Sequence, residues 1–158
     1  MIQWKEKKLI EADIETVWRL FAEENMYKIM PKVVENTPLE VKDEVIGSTF
    51  RQSYKEGKRT ETYIVEIIGY EDGEDKKFKR IAFTLAKLFK IDLSFTLLKQ
   101  SAEETLFIYE GRNEGVGFIG RMMTKLGSKK AKEKVVKEFM QRVEKEAVQS
   151  KETSNSGH

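Results

Sequence analysis

The sequence predicts an α+β fold: a curved, seven-stranded antiparallel sheet around one long C-terminal helix, with two short helices after the first strand. Three observations predict it. Apolar residues recur along residues 118–148 at Ile119, Met122, Met123, Leu126, Val135, Val136, Phe139, Met140, Val143 and Ala147, a spacing that puts one stripe on one face of a helix. Residues 34–113 instead fall into short runs of period two separated by turn chemistry. Between the N-terminal helical pattern and those runs stands Pro31, and the residue before a proline is pushed out of the helical region.

Taken in order, residues 3–12 alternate loosely and read as a first strand. Asp13 then offers a helix N-cap, followed at helical spacing by Ile14, Val17, Trp18 and Phe21. A second short helix over 24–30 stops at Pro31. Six strands are expected near 34–42, 48–54, 60–70, 78–85, 90–99 and 104–113, with turns at 55–58, 71–75 and 100–103. The clearest strand sets Ile91, Leu93, Phe95 and Leu97 against Asp92, Ser94 and Thr96 on the other face. Sequential short strands on tight turns make an antiparallel sheet. One apolar sheet face needs a cover, and only the helix at 118–148 is long enough to supply it. A single domain over 1–148 is expected, with residues 149–158 a polar, Ser-rich, disordered tail.

Composition removes several kinds of chemistry. A chain of 158 residues, 39% hydrophobic and 35% charged, buries roughly 70% of its unfolded surface, enough for a core without staples. There is no Cys, and the single His is His158, so disulfides, thiolate catalysis, Ser-His-Asp triads and Cys- or His-based metal sites are not expected. No cofactor or metal is implied. Met1 to Lys8 runs directly into alternating charge without the apolar core of a signal peptide, and 81–98 is broken by Lys87, Lys90 and Asp92. A cytoplasmic protein that does not span a membrane is expected.

The net charge of +2 is uneven, since residues 118–150 carry nine Lys or Arg against four Glu. That basic helix face is read first as solvated surface, and otherwise as a contact for a protein or an anionic membrane. Arg121, Lys125, Lys129, Lys130, Lys132 and Lys134 lack any accompanying nucleic-acid module or exposed aromatic platform, so nucleic acid is not an expected partner. Gly115, Gly117 and Gly120 form a literal GxGxxG between a strand and a helix. A dinucleotide fold would need a second parallel strand after that helix, and the pattern supplies none.

The candidate site follows from the helix. Gly127 falls on its apolar stripe beside Ala131, so small side chains occupy the middle of a face where a filled core would want bulk. Either another backbone approaches closely there or a cavity does. Met122, Met123, Leu126 and Gly127 are the expected helix wall of such a cavity, Met being suited to irregular space, and Phe83, Phe95 and Tyr109 the expected wall on the sheet. The one catalytic candidate is Glu110, which shares the alternation of Leu106 and Ile108 and would point inward if they do, with Arg112 on the same face as partner.

Three stretches carry a resemblance: residues 10–21, with Ile10, Ala12, Val17, Trp18, Leu20 and Phe21; Met30-Pro31-Lys32-Val33; and Val45-Ile46-Gly47-Ser48-Thr49-Phe50. Together with the element order they make the chain, over residues 2–148, similar to the START-like superfamily of polyketide cyclase/dehydrase and lipid-transport proteins, also called SRPBCC. The resemblance implies a helix-grip fold, in which the sheet closes on the last helix around an apolar cavity. It also implies a small apolar or amphipathic ligand such as a lipid, quinone or polyketide. It carries over no catalytic residue. The leading expectation is a binding, or transport, protein; the alternatives are a cyclase/dehydrase-like enzyme using Glu110 or a Tyr, and an interaction module using the basic helix face. Ligand identity and oligomeric state are not set by the sequence.

Overall fold

Seven strands and the hairpins between them account for most of residues 2–115. The computed structural model describes residues 1–117 and 129–156. They form β1 (Ile2–Ile10), α1 (Ile14–Arg19), a 3-10 turn (Glu23–Asn25), α2 (Met26–Ile29), β2 (Val33–Glu40), β3 (Thr49–Glu56), β4 (Arg59–Asp72), β5 (Lys76–Leu85), β6 (Phe89–Ser101), β7 (Glu104–Gly115) and α3 (Lys129–Ser156). The expected element order stands for these residues. The sheet runs β1-β7-β6-β5-β4-β3-β2, every pair antiparallel. Its first and last strands in sequence therefore meet, and β1 and β2 are its edges.

Alternation decides the concave face. Thr105, Phe107 and Tyr109 of β7 and Leu93, Phe95 and Leu97 of β6 are buried there, joined by Tyr63, Val65 and Ile67 of β4 and by Ile81. The sheet curves because β4 slips register between Ile67 and Gly69, an extra residue that bends the strand. Gly69 is needed at that bend: a Cβ would lie 2.8 Å from the Phe78 ring. Against this face α3 lays Val136, Phe139, Met140, Val143 and Ala147, all buried.

The connecting segment is tied down by polar groups. Asp13 caps α1, accepting from the Thr16 backbone N–H at 3.1 Å and from its hydroxyl at 2.6 Å. Burial alone would raise the Asp13 carboxyl, but these bonds and Arg19 outweigh it and hold it below its usual range. Two buried lysines of β5 reach up from the sheet. Lys79 donates to the Phe21 carbonyl at 3.0 Å and pairs with Glu23 at 2.6 Å; Lys77 pairs with Asp72 and with Glu15, the latter at 3.0 Å, beneath the Trp18 ring. Buried cations are tolerated because each is paired.

Two features differ from expectation. The last helix does not stop near Val148 but runs through Ser156, across the stretch expected to be a disordered tail. Residues 149–156 are polar yet contain no Pro or Gly, and the first helix-ending residue is Gly157. The β5–β6 connection was not legible as a turn, because it lacks the usual Asn-Gly signal. Leu88 N–H bonds the Leu85 carbonyl at 3.0 Å, and Ala86 and Lys87 between them sit at φ +52° and +59°, the left-handed pair of a type I′ hairpin turn.

Two stability changes follow. A side chain in the left-handed region costs roughly 1 kcal/mol relative to Gly, so Lys87→Gly should stabilise the protein by about that amount in urea unfolding. Thr105 is fully buried and donates to the Ala12 carbonyl at 2.8 Å; Thr105→Val keeps the shape and removes the donor, and should cost about 1–2 kcal/mol in the same measurement.

Candidate functional site

The concave face is filled at one end and thinly covered at the other. At the filled end Phe139 of α3 lies 4.8 Å from the Tyr109 ring, 5.9 Å from Phe95 and 6.3 Å from Phe107. Phe21, just after α1, closes on Phe95 and Phe107 at 5.0 and 5.6 Å. Phe95 and Tyr109 stack with rings 5.5 Å apart and 6° from parallel, and are only 2% and 6% exposed. Here they act as core.

Towards the other end of the strands the same face carries side chains that are only partly buried: Trp4, Phe83, Leu85 and Ile91, beside Tyr63. Phe83 stacks on Tyr63 at 4.6 Å. Trp4 meets the Tyr109 ring edge-on at 5.7 Å and so joins the two ends. It can lie there only because its cross-strand partner is Gly111: a Cβ on Gly111 would come within 2.1 Å of the Trp4 ring. A cleft of about 470 Å³ opens beside Trp4, between β1 and the first turns of α3, lined also by Ile2, Lys132, Glu133 and Val136. That volume lies within the range that holds small ligands.

Two phenols stand on this concave face, Tyr63 and Tyr109. Burial, with Tyr54 adding, pushes the Tyr63 phenol up to about 12, and burial alone raises the Tyr109 phenol further still. Burial thus favours the protonated form of both phenols. Asn113 lies on the concave face two residues beyond Gly111, opposite Ile2 and Ile91.

Of the expected site residues, Phe83, Phe95 and Tyr109 all stand on the concave face, Phe83 partly exposed at the open end and Phe95 and Tyr109 buried at the filled end. Glu110 does not. Adjacent strand residues point to opposite faces, and with Phe107 and Tyr109 inward, Leu106, Ile108 and Glu110 face outward. Glu110 is 45% exposed and pairs with Lys5 at 3.7 Å, not with Arg112. Asp92 is on the same convex face, gripped by Arg80 through contacts of 2.9 and 2.5 Å. Broader depressions of about 530 and 730 Å³ lie among these outer charges, surroundings that suit an apolar ligand poorly. Met122, Met123, Leu126 and Gly127 lie outside the described residues, as does Gly120 of the glycine motif. Among the described residues there is no group of three or more His, Cys, Asp or Glu placed to hold a metal, and no helix long and apolar enough to cross a membrane.

Trp4, Gly111 and Asn113 were missed by sequence reasoning. Their signal was present in part: extending the Phe107/Tyr109 parity puts Gly111 and Asn113 on the inner face. The pairing that brings Trp4 over Gly111 joins strands more than a hundred residues apart, which no local pattern reports.

Solved structures share this fold over nearly the whole chain. An aromatase/cyclase, Zhui, from Streptomyces sp. R1128 matches with TM-score 0.69 at 15% identity, over 92% of this chain and 93% of that one. A START superfamily protein from Mycobacterium smegmatis matches at 0.67 and 15%, over 93% and 97%. The fold is START-like. A norcoclaurine synthase mutant from Thalictrum flavum, solved with a transition-state analogue, matches this helix-grip architecture at 0.66 and 8%, over 95% and 96%. No protein-family model and no curated protein sequence matches the chain.

Gly111→Ala tests the Trp4 seat. The added methyl should displace the Trp4 ring and shift its indole N–H resonance in a ¹H–¹⁵N spectrum, while the Trp18 indole resonance stays in place.

Proposed function

We propose that this protein binds an apolar or amphipathic small molecule between the concave sheet face and the last helix, at the end occupied by Trp4, Tyr63, Phe83, Leu85 and Ile91. The observation that carries the reading is the change in cover along one continuous apolar face. Phe95, Phe107 and Tyr109 are sealed by Phe139, whereas Trp4, Phe83, Leu85 and Ile91 remain partly exposed, and a cleft of ligand size opens beside Trp4. The START-like fold supports it, since a neighbour of that fold is an aromatase/cyclase and another was solved with a transition-state analogue. Met122, Met123, Leu126 and Gly127 belong to the proposed helix wall on the strength of their spacing.

Binding would be driven by desolvation. Removing apolar surface from water is worth roughly 25 cal/mol per Å², so about 200 Å² buried on a ligand yields on the order of 5 kcal/mol before ordering costs. Neutral phenols and amides would orient the ligand without attracting charge. The enzyme alternative is weakened by Glu110, which faces solvent. The interaction-module alternative keeps its exposed Lys130, Lys134, Lys137 and Lys145 on α3.

Native mass spectrometry of freshly purified protein, compared with its mass after denaturation, is the test. An added mass lost on denaturation is expected. Phe83→Ala should lower affinity for that ligand about tenfold, the loss of roughly 1.4 kcal/mol of contact, with the fold retained by circular dichroism. A bare mass, no thermal shift with lipids, quinones or polyketides, and salt-sensitive binding to anionic vesicles would replace this reading with the interaction module.

A further inference from the structure

The buried polar groups of the concave face are nearly all accounted for. Lys77 and Lys79 are ion-paired, Thr105 donates to Ala12, and Gln52 donates to Asn36 at 3.2 Å. Among the described residues, the buried side-chain atoms left without a hydrogen-bond partner are Trp4 Nε1 and Asn113 Oδ1. One is a donor and the other an acceptor, and both lie on the concave face. The six-membered ring of the Trp4 indole lies over Gly111, its Cε2 atom, to which Nε1 is bonded, 2.5 Å from the position a Gly111 Cβ would take. Asn113 is the next residue on that face of β7, about 6.6 Å further along the strand. Buried groups are ordinarily paired, and an orphaned donor and an orphaned acceptor on adjacent strands of one face leave room for a group that satisfies both.

We infer that the ligand of this face carries a hydroxyl, alcoholic or phenolic, whose oxygen accepts from Trp4 Nε1–H while its proton is donated to Asn113 Oδ1. The inference rests on the binding reading above and specifies its ligand class. Chemistry selects a neutral group that both accepts and donates, of which a hydroxyl does so through one atom. A carboxylate has no proton for Asn113 and meets no cation from either residue; an ammonium has no lone pair for Trp4; an ether or ketone satisfies Trp4 alone; a hydrocarbon satisfies neither. The partners are neutral, so a neutral group suits them.

Three probes of one shape separate the possibilities: 2-naphthol, 2-methylnaphthalene and 2-methoxynaphthalene, titrated by equilibrium dialysis into the wild type, Trp4→Phe and Asn113→Leu. In a purely apolar cavity the methyl compound binds tightest, because it loses no hydrogen bonds to water. The expected result is the reverse order in the wild type, 2-naphthol about tenfold tighter than 2-methylnaphthalene, with the methoxy compound, which accepts but cannot donate, weaker than the naphthol. Either substitution should erase the advantage of 2-naphthol over 2-methylnaphthalene, whatever it does to the affinity for both. The Trp4 indole N–H resonance should move with 2-naphthol and hold with 2-methylnaphthalene, a readout that does not depend on the variants folding. Binding of all three probes with the methyl compound equal or tighter would overturn the hydroxyl assignment, a trapped water then bridging the two residues, and leave the cavity standing. Equal binding of naphthol and methoxynaphthalene would overturn the Asn113 role. Failure of all three probes to bind would overturn the binding reading itself, and this inference with it.

Discussion

Everything at the centre of this molecule depends on Phe139 fitting among Phe95, Phe107 and Tyr109. A curved sheet with one aromatic face is not stable in water, and a helix with one apolar stripe is no better off. Each supplies the surface the other lacks. Tilted and edge-on ring contacts between 4.8 and 6.3 Å fix where along α3 the two meet. Once that contact is set, Val143 and Ala147 must lie further along the filled end, and the partly covered aromatics must lie away from it. The candidate site is thus the remainder of a packing solution: the length of concave face that Phe139 and its neighbours leave thinly sealed.

The polar interactions divide by face. On the convex side Arg80–Asp92 and Lys5–Glu110 are exposed pairs that contribute little each. On the concave side the buried charges are Lys77 and Lys79 at the α1 end, where carboxylates and a backbone carbonyl neutralise them, while Lys8 pairs with Glu144 of α3 nearer the surface. The opposite end holds the Trp4 indole, the Tyr63 phenol and the Asn113 amide, with Lys132 and Glu133 lining the cleft beside Trp4. A surface of that kind recognises by shape and by hydrogen bonds of fixed direction, with small sensitivity to salt.

Strand positions were legible to within about two residues because period-two alternation and Gly- or Asp-rich turns are local signals. The Lys55–Lys58 and Glu71–Asp75 turns carried their strands with them. Face assignment was harder. Tyr109 and Glu110 were both plausible inward residues, and only packing against α3 decides between neighbours of opposite parity. The Ala86–Lys87 turn was invisible because its residues do not advertise left-handed backbone; the hairpin imposes it. The far end of α3 was misjudged for a related reason, since polar composition argues against a core but not against continuation of an established helix. Trp4, Gly111 and Asn113 became a unit only through the pairing of β1 with β7. The Met-rich wall at 122–127 lies outside the described residues and rests on its spacing alone.

An open seven-stranded sheet has two free edges, and here they differ in how they discourage pairing. β2 slips register twice along its length, at Val33/Glu35 and at Pro38/Glu40, and Pro38 offers no N–H. Its exposed Val34 and Leu39 therefore sit on a strand too irregular to template another. β1 is regular but presents Lys5, Glu6, Lys7 and Lys8 in succession, and charge does for that edge what distortion does for the other. Both edges are in this way guarded against the association that open sheets invite.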